Sequence, residues 1–300
     1  MSQDDDSKIA AAATASSSAT LRLNPPLSSP TLDVTGRYFL ITGGTQGLGL
    51  SIARLLKNSG ASGLVLVSRS SDKGAAAVTE LQTETCLVVH VEADLGQADQ
   101  AQAVFSKAQA LIGQEKSISG VVNAAATTSR GNLSTTTADA FDEQMAVNVR
   151  APFLITQSAA EHLVRHNSTG SIVNISSVAA YGGAPFIMSY SVAKAALEAL
   201  TKNNAAELAP KGIRVNAVNM GWCYTDNENA LQTRQSDAAW IDRADEGVPL
   251  GRILRPTDVA TTVLFLLSSA SAMMTGSITD LHPEFAHGML SLSLQDSDVR

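Results

Sequence analysis

Tyr190 and Lys194 are the residues of this sequence whose types and spacing point most directly to proton chemistry. Side chains four residues apart lie on one face of a helix, so the ammonium of Lys194 would stand beside the phenol of Tyr190. A neighbouring positive charge favours the phenolate and lowers a tyrosine pKa from about 10 toward neutrality. The pair therefore predicts a general acid/base, with Lys194 also available to hold ribose hydroxyls. Because Tyr-x-x-x-Lys is common by chance, its surroundings must support the assignment.

Two other polar residues stand where they would serve Tyr190. Ser177 comes 13 residues earlier, just past a predicted strand, and its hydroxyl would bond the substrate oxygen. Ser176 is the neighbouring alternative. Asn148 falls in the middle of a long predicted helix, where a polar amide can perturb the helix and hold a water behind Lys194. An ordinary exposed helix asparagine is the alternative interpretation.

A glycine cluster follows the first predicted strand and opens a helix. It reads Thr42-Gly43-Gly44-Thr45-Gln46-Gly47-Leu48-Gly49. Glycines let the backbone approach a pyrophosphate closely, and the helix N-terminus supplies free N–H groups and a positive dipole end. A structural turn is the alternative, but the strand–loop–helix context favours a dinucleotide site. The predicted cofactor contacts are Gly43, Thr45, Gly47, Leu48 and Gly49.

Two strand ends refine the predicted cofactor. Ser68 and Arg69 end the second strand, where an NAD site usually has a carboxylate. A hydroxyl and a guanidinium suit the 2′-phosphate of NADP(H), which a carboxylate would repel, so NADP(H) is preferred and NAD(H) remains possible. A solvated Arg69 is the alternative. Asp94 and Leu95 follow the third strand, where the carboxylate would bond the adenine amino group or cap the next helix.

The chain between its ends alternates short apolar runs with longer amphipathic stretches. Unbroken apolar runs are typical of strands buried on both faces, and regular β-α-β alternation predicts an α/β fold: a doubly wound parallel sheet with helices on both faces. Residues 220–254 break the rhythm and predict an irregular substrate loop without a strand. The predicted strands are 38–41, 64–67, 87–91, 120–123, 171–175, 214–218 and 277–281, and the predicted helices include 48–58, 98–112, 137–166, 188–208 and 256–269.

The length of 300 residues, with 44% hydrophobic and 16% charged residues, suits one large domain with a sizeable core. Residues 1–34 are rich in alanine, serine and threonine and predict a disordered N-terminal tail. We expect the domain over residues 35–288 and a short C-terminal tail over residues 289–300.

Charge and cysteine content exclude several classes of function. With 21 basic and 28 acidic residues the formal net charge is −7, which argues against binding to nucleic acid or to an anionic membrane. Two cysteines, Cys86 and Cys223, give neither a disulfide framework nor metal-ligand spacing, so no metal is expected. The acidic start and the lack of a long apolar run predict a cytoplasmic protein.

Together these motifs resemble those of the short-chain dehydrogenase/reductase family, in its single-domain form of about 250 residues. The glycine cluster is similar to the family's Thr-Gly-x-x-x-Gly-x-Gly loop, and the resemblance covers nearly everything outside the two tails. It implies a Rossmann-like fold and no metal. The residues similar to the family's catalytic tetrad are Asn148, Ser177, Tyr190 and Lys194.

The resemblance also implies cofactor contacts beyond the glycine loop. Asn123 stands in the family's Asn-Ala-Gly, which here reads Asn-Ala-Ala. Gly221 stands in its Pro-Gly, here Met-Gly, and Thr225 matches the threonine that bonds the nicotinamide carboxamide. The family's Asp-Gly-Gly after the last strand is absent, since Leu281 follows Asp280, so C-terminal contacts are expected to differ.

The activity that the resemblance implies is interconversion of a secondary alcohol and a ketone by hydride transfer. In reduction Tyr190 gives a proton to the substrate oxygen, which Ser177 holds. Partners are expected to be a small alcohol or ketone and further copies of the chain, as a homodimer or homotetramer joined through the helices of Asn148 and Tyr190. An NADP-binding epimerase or dehydratase, or a non-catalytic nucleotide sensor, is the alternative. The substrate stays open, because the loop that holds Trp222 suits either a polyol or a flat ring.

Overall fold

A single parallel sheet organises the protein, whose computed structural model describes residues 32–283. Its order is β3-β2-β1-β4-β5-β6-β7, and every neighbouring pair is parallel. The order reverses between β1 and β4, which opens a crevice at the carboxyl ends of the strands. The predicted doubly wound sheet is confirmed. The strands are β1 Tyr38–Thr42, β2 Gly63–Ser68, β3 Leu87–Glu92, β4 Ile118–Asn123, β5 Gly170–Ser177, β6 Ile213–Met220 and β7 Ile278–Leu281.

Helices cover both faces of the sheet, and each face has its own apolar core. Along β1, Phe39 and Ile41 belong to one core and Leu40 to the other, because successive side chains of a strand point to opposite faces. The first core takes residues of α1, α2 and α9, and the second takes residues of α3, α5 and α6. The helices are α1 Gly47–Asn58, α2 Ser71–Leu81, α3 Ala98–Ile112, α4 Ala138–Met145, α5 Ala151–Arg165, α6 Met188–Leu208, α7 Asp226–Gln235, α8 Trp240–Glu246 and α9 Pro256–Leu267.

Two predicted segments differ from the structure. The helix predicted over residues 137–166 is interrupted by a π turn, Ala146–Arg150, that separates α4 from α5. The loop predicted over residues 220–254 has no strand, as expected, but it holds the two helices α7 and α8. No residue of α7 is buried, so the helix lacks the apolar stripe that would reveal it in the sequence.

Part of the predicted N-terminal tail falls within the described residues. Val34, placed in the predicted N-terminal tail, is buried in the first core and its N–H donates to the carbonyl of Ser59. Residues 1–31 of the predicted N-terminal tail and the whole predicted C-terminal tail, residues 289–300, lie outside the described residues. Between residues 32 and 283, no helix combines the length and the apolar character needed to cross a membrane.

Candidate active site

The glycine loop between β1 and α1 is built by close backbone contacts. Gly43 has a φ of 67°, and a Cβ there would lie 3.1 Å from the Cα of Ala125. A Cβ on Gly49 would lie 2.2 Å from the carbonyl oxygen of Gly43, so only glycine allows α1 to start this close to the end of β1. The methyl of Ala125, where the resembling family has glycine, packs beside the second core.

The N-terminus of α1 fits an anionic group. Gly47 has a φ of 50°, and nothing lies within 4 Å of the position of its Cβ, so the space above the loop is open. Gln46, the N-cap, makes no side-chain capping bond, and the first turn contains no acidic residue. Free N–H groups at a helix N-terminus whose first turn lacks an acidic residue suit a pyrophosphate. Thr45 is buried and Leu48 packs on the first core, so any contact of Leu48 with a nucleotide falls to its main chain.

The end of β2 presents a hydroxyl and two cations. Ser68 Oγ lies 2.9 Å from Nε2 of His90, which stands on the adjacent strand β3. Arg69 is exposed, and the ammonium of Lys73, in the first turn of α2, donates to Oε1 of Gln46 in the glycine loop. Lys73 thus contacts the glycine loop, and Arg69 follows the neighbouring strand β2. Neither His90 nor Lys73 was identified from the sequence, although a cation one turn into α2 is a signal that could have been used.

Asp94 lies at the carboxyl end of β3 and is half-buried. Its Oδ1 accepts from the N–H of Gly96 at 3.0 Å, whereas the N-cap of α3 is Gln97. The alternative in which Asp94 caps the helix is therefore wrong, because its carboxylate closes the preceding turn. The side chain of Leu95 belongs to the second core, which leaves its main chain for any contact with a nucleotide.

Asn123 ends β4 inside a buried polar chain. Its Nδ2 donates to Oδ1 of Asn174 at 2.8 Å, and Nδ2 of Asn174 donates to Thr201 at 2.9 Å. Oδ1 of Asn123 is buried and has no hydrogen-bond partner among the described residues. Buried acceptors are normally satisfied, so this oxygen marks a place for a water or a ligand. Next to it, Thr42 Oγ1 accepts from the two N–H groups that follow Asn123, each at 3.0 Å.

Ser177 and Tyr190 meet at the carboxyl end of β5. The Ser177 hydroxyl lies close enough to the Tyr190 phenol to lower its pKa. Ser177 also caps the short turn that follows β5, because its Oγ accepts from the N–H of Ala179 at 3.2 Å. Ser176 is buried and donates to Glu198 at 2.8 Å. The geometry thus favours Ser177 over Ser176 as the partner of Tyr190.

Lys194 lies one turn beyond Tyr190 on α6 and is 2% exposed. Its Nζ donates to the carbonyl oxygen of Ile175 at 2.6 Å and lies 5.4 Å from the centre of the Tyr190 ring. Burial lowers the pKa of Lys194 to about 8. The Tyr190 side chain is half-buried, and this desolvation raises its pKa to about 12, with the hydrogen bond to Ser177 acting in the opposite direction. The predicted lowering of the Tyr190 pKa is not found, because the effect of burial outweighs that of Ser177.

Asn148 lies inside the π turn and is fully buried, so the exposed alternative is wrong. Its Oδ1 accepts from the N–H of Thr127 at 3.0 Å, and its Nδ2 donates to the carbonyl of Thr127 and to Gln144. The side chain therefore holds the segment after β4 in place, and none of its hydrogen bonds is directed toward Lys194. The expectation that a polar amide disturbs the helix here agrees with the π turn.

The segment after β6 carries the remaining predicted contacts and an aromatic cluster. The N–H of Gly221 donates to the carbonyl of Leu281 at 2.9 Å, and Thr225 caps α7 by accepting from the N–H of Glu228. The rings of Trp222 and Trp240 lie 5.4 Å apart. Trp222 is 40% exposed. It lies two residues after Met220, the residue of β6 that is the register partner of Ser177 on β5. The structure thus brings an exposed indole near the end of β5.

The structure gathers Ser177, Tyr190 and Lys194 at the carboxyl end of β5, and it places the glycine loop at the end of β1, two strands away. This is the edge where an open α/β sheet binds its ligand. Among the described residues, no group of three or more His, Cys, Asp or Glu side chains is placed to hold a metal ion. Fold and site together define a nucleotide-dependent oxidoreductase.

Comparison with known proteins identifies the family. Residues 43–281 match the family model described as enoyl-(acyl carrier protein) reductase. A probable galactose dehydrogenase of Rhizobium meliloti (strain 1021) is 34% identical over 249 residues, which are 83% of this chain and 94% of the relative. The chain therefore belongs to the short-chain dehydrogenase/reductase family, and it is an NAD(P)-dependent enzyme of that family.

Two solved structures show the same fold with a nucleotide bound. A gluconate 5-dehydrogenase from Burkholderia cenocepacia J2315, in complex with NADP and tartrate, has a TM-score of 0.74 and 30% identity, covering 83% of this chain and 95% of its own. A 3-oxoacyl (acyl-carrier-protein) reductase from Agrobacterium tumefaciens C58, with NADP bound, has a TM-score of 0.76 and 26% identity, covering 83% and 94%.

Proposed function

We propose that this enzyme interconverts a secondary alcohol and a ketone with NADP(H), and that Tyr190 is the general acid/base. The observation that carries the proposal is the meeting of Ser177 and Tyr190 beside the buried Lys194 at the carboxyl end of β5. The nucleotide supplies or accepts the hydride when bound. Gly43, Gly47 and Gly49 would hold its pyrophosphate at the N-terminus of α1.

The residues around the reacting oxygen divide the work. Because the pKa of Tyr190 is about 12, its phenol is protonated at neutral pH and is ready to donate to an alkoxide. Ser177 would donate to the same oxygen and stabilise the charge that develops there. Lys194 would hold ribose hydroxyls and favour the phenolate in the reverse direction. Since the Asn148 side chain is engaged with Thr127, we assign it to holding the active-site wall in place.

The assay that tests the proposal follows nicotinamide absorbance with NADPH or NADP⁺ and a panel of ketones and alcohols. Sugars, sugar acids and polyols come first, because two relatives are named for galactose and gluconate and because the exposed Trp222 offers a stacking surface. Net redox turnover supports the proposal. Nucleotide binding without turnover on the whole panel contradicts it and favours a nucleotide sensor, whereas isomerised product without net redox change favours an epimerase.

Cofactor preference is expected to depend on Arg69 and Lys73. Lys73 contacts Gln46 of the glycine loop, and Arg69 follows β2, the strand paired with β1, so the 2′-phosphate of NADPH would add negative charge near both cations. Changing both to alanine should raise the KM for NADPH at least tenfold and leave the KM for NADH within about twofold. Lys116→Ala, a cation at the opposite edge of the sheet, is the matched control. Equal losses with NADPH and NADH would show that the pair does not read the phosphate.

The cytoplasmic location stays a prediction from the sequence. We also propose that the enzyme is a homo-oligomer joined through α5 and α6. A groove between these helices is lined by both apolar and charged residues, and Phe153 and Val164 are 43% and 45% exposed along α5. Lys211 and Glu207 at its edge offer charges of both signs, which a second copy related by a two-fold axis can complement.

Val164→Asp is expected to shift the protein toward monomer in analytical ultracentrifugation, because the interface would have to bury an unpaired carboxylate. Leu111→Asp alters an apolar side chain on α3 that is 52% exposed and serves as the control. If wild-type protein sediments as a monomer at micromolar concentration, or if both variants dissociate alike, this interface is the wrong one.

A further inference from the structure

Two buried amide side chains lie where α4 ends and the π turn follows, next to the candidate active site. Gln144 is in the last turn of α4 and Asn148 is in the π turn, and both are fully buried. They are four residues apart, and Nδ2 of Asn148 donates to Oε1 of Gln144 at 3.2 Å. The proposed function assigns Asn148 to holding the segment after β4 in place, but it gives Gln144 no role.

The amide of Gln144 joins two segments that are distant in sequence. Its Nε2 donates to the carbonyl oxygen of Ser129 at 2.8 Å and to Oγ of Ser189 at 3.1 Å. Ser129 belongs to the segment that follows β4, and Ser189 immediately precedes Tyr190 on α6. One buried amide therefore links the wall of the site to the helix that carries the candidate acid.

The same two segments are also tied through their backbones. The N–H of Gly131 donates to the carbonyl of Phe186 at 2.9 Å, and the N–H of Met188 donates to the carbonyl of Gly131 at 3.2 Å. Asn148 adds two hydrogen bonds to Thr127. The stretch from Thr127 to Gly131 is thus held at both ends, with the Ser129–Gln144–Ser189 contacts between them.

Filling this space would not require an amide. A leucine has a similar volume and carries no desolvation cost, whereas a buried amide must find partners for its donors and its acceptor. A polar network whose members are satisfied fixes distances and angles more sharply than apolar packing does. Gln144 bonds on both its nitrogen and its oxygen, which is the pattern expected of a residue that sets geometry.

We infer that Gln144 is a positioning residue for the reaction: by binding Ser129 and Ser189 together, it sets the place of the Tyr190 phenol relative to the segment after β4. The inference rests on the proposed role of Tyr190. Displacement of an acid by a fraction of an ångström lowers turnover strongly, whereas nucleotide binding at the glycine loop should be insensitive to it.

The experiment is a double-mutant cycle in the full-length enzyme with Gln144→Leu, Ser189→Ala and the double variant. We expect each single change to lower kcat about tenfold, to leave the KM for NADPH within twofold, and to shift the pH profile of kcat. Because both changes remove the same link, the double variant should lose no more than the worse single variant. Gln144→Glu keeps the acceptor for Asn148 and replaces the amide donor, so it should resemble Gln144→Leu.

The matched control is Gln109→Leu. Gln109 is a buried glutamine on α3 that also bonds main-chain groups, those of Gly113, Lys116 and Ile118, but at the opposite edge of the sheet. The Gln109→Leu variant should have an unfolding midpoint lowered about as much as that of Gln144→Leu, with kcat and its pH profile unchanged.

Three outcomes overturn the inference: an unchanged kcat in Gln144→Leu, strictly additive losses in the cycle, or equal kcat losses in the Gln109 control. If Gln144→Leu does not fold, Ser189→Ala decides alone, and an unaltered kcat and pH profile in that variant overturns the inference. Failure of the proposed function would look different, since Tyr190→Phe would then stay active. An inactive Tyr190→Phe beside a normal Ser189→Ala rejects only the role of Gln144.

Discussion

Replacing Tyr190 by phenylalanine should lower kcat by a factor of about 10² to 10⁴, the range that positioned proton transfer contributes. The phenylalanine ring keeps the packing of the half-buried side chain and removes only the hydroxyl that bonds Ser177. No contact of the glycine loop changes, so the Kd for NADPH should stay within about twofold. Steady-state turnover and titration of nucleotide fluorescence measure the two quantities separately.

Tyr181 provides a demanding control for this experiment. Its hydroxyl donates to Oδ1 of Asp280 at 2.6 Å, and burial together with that carboxylate raises its pKa to about 12, as burial does for Tyr190. Tyr181→Phe should retain nearly full turnover, because its phenol is committed to β7. An active Tyr190→Phe, or an inactive Tyr181→Phe, would reassign the acid.

The parts of the site that could be predicted are those encoded by local pattern. The glycine loop is recognisable because its constraints are partly local: Gly49 is required by its contact with the backbone of Gly43, and Gly43 has a positive φ. The α/β alternation is equally local, and the strands lie where the apolar runs placed them. The helical spacing of Tyr190 and Lys194 does put both on one face of α6.

The parts that could not be predicted depend on contacts between distant segments. Gln144 binds residues 15 and 45 positions away, and His90 meets a serine 22 positions away, so neither leaves a local signature. The pKa of Tyr190 was predicted in the wrong direction for the same reason. Helical spacing brings Lys194 near, but the desolvation that raises the pKa of Tyr190 is a property of the folded interior.

The buried ammonium of Lys194 should lower the free energy of unfolding of the protein. Its folded pKa of about 8 lies below the ordinary value of 10.5, so between these values the unfolded chain binds a proton that the folded protein does not. Stability must therefore rise with pH across this window, and as pH drops it falls from about 10.5 to about 8 and then levels off. A shift of this size corresponds to a penalty on the order of 3 kcal/mol at pH 7.

Lys194→Met should remove this penalty while abolishing turnover. The variant keeps an unbranched buried side chain without the charge and leaves the Ile175 carbonyl without its donor, which offsets about 1 kcal/mol of the gain. We expect it to be more stable than wild type at pH 7 by roughly 2 kcal/mol in urea unfolding. Between pH 8 and 9.5 the wild type should gain about 1.5 kcal/mol relative to the variant, because only the wild type loses the buried charge.

Other groups titrate in the same range, so the difference between the two proteins is the quantity to compare. Lys202→Met, an exposed lysine on the same helix, should show no such pH-dependent difference. A Lys194→Met protein that is less stable than wild type at pH 7, with the same pH dependence, would mean that neighbouring groups compensate the desolvation cost of the buried ammonium. A more stable and inactive variant would instead show that a buried charge is retained at the site for function, at a cost to the stability of the fold.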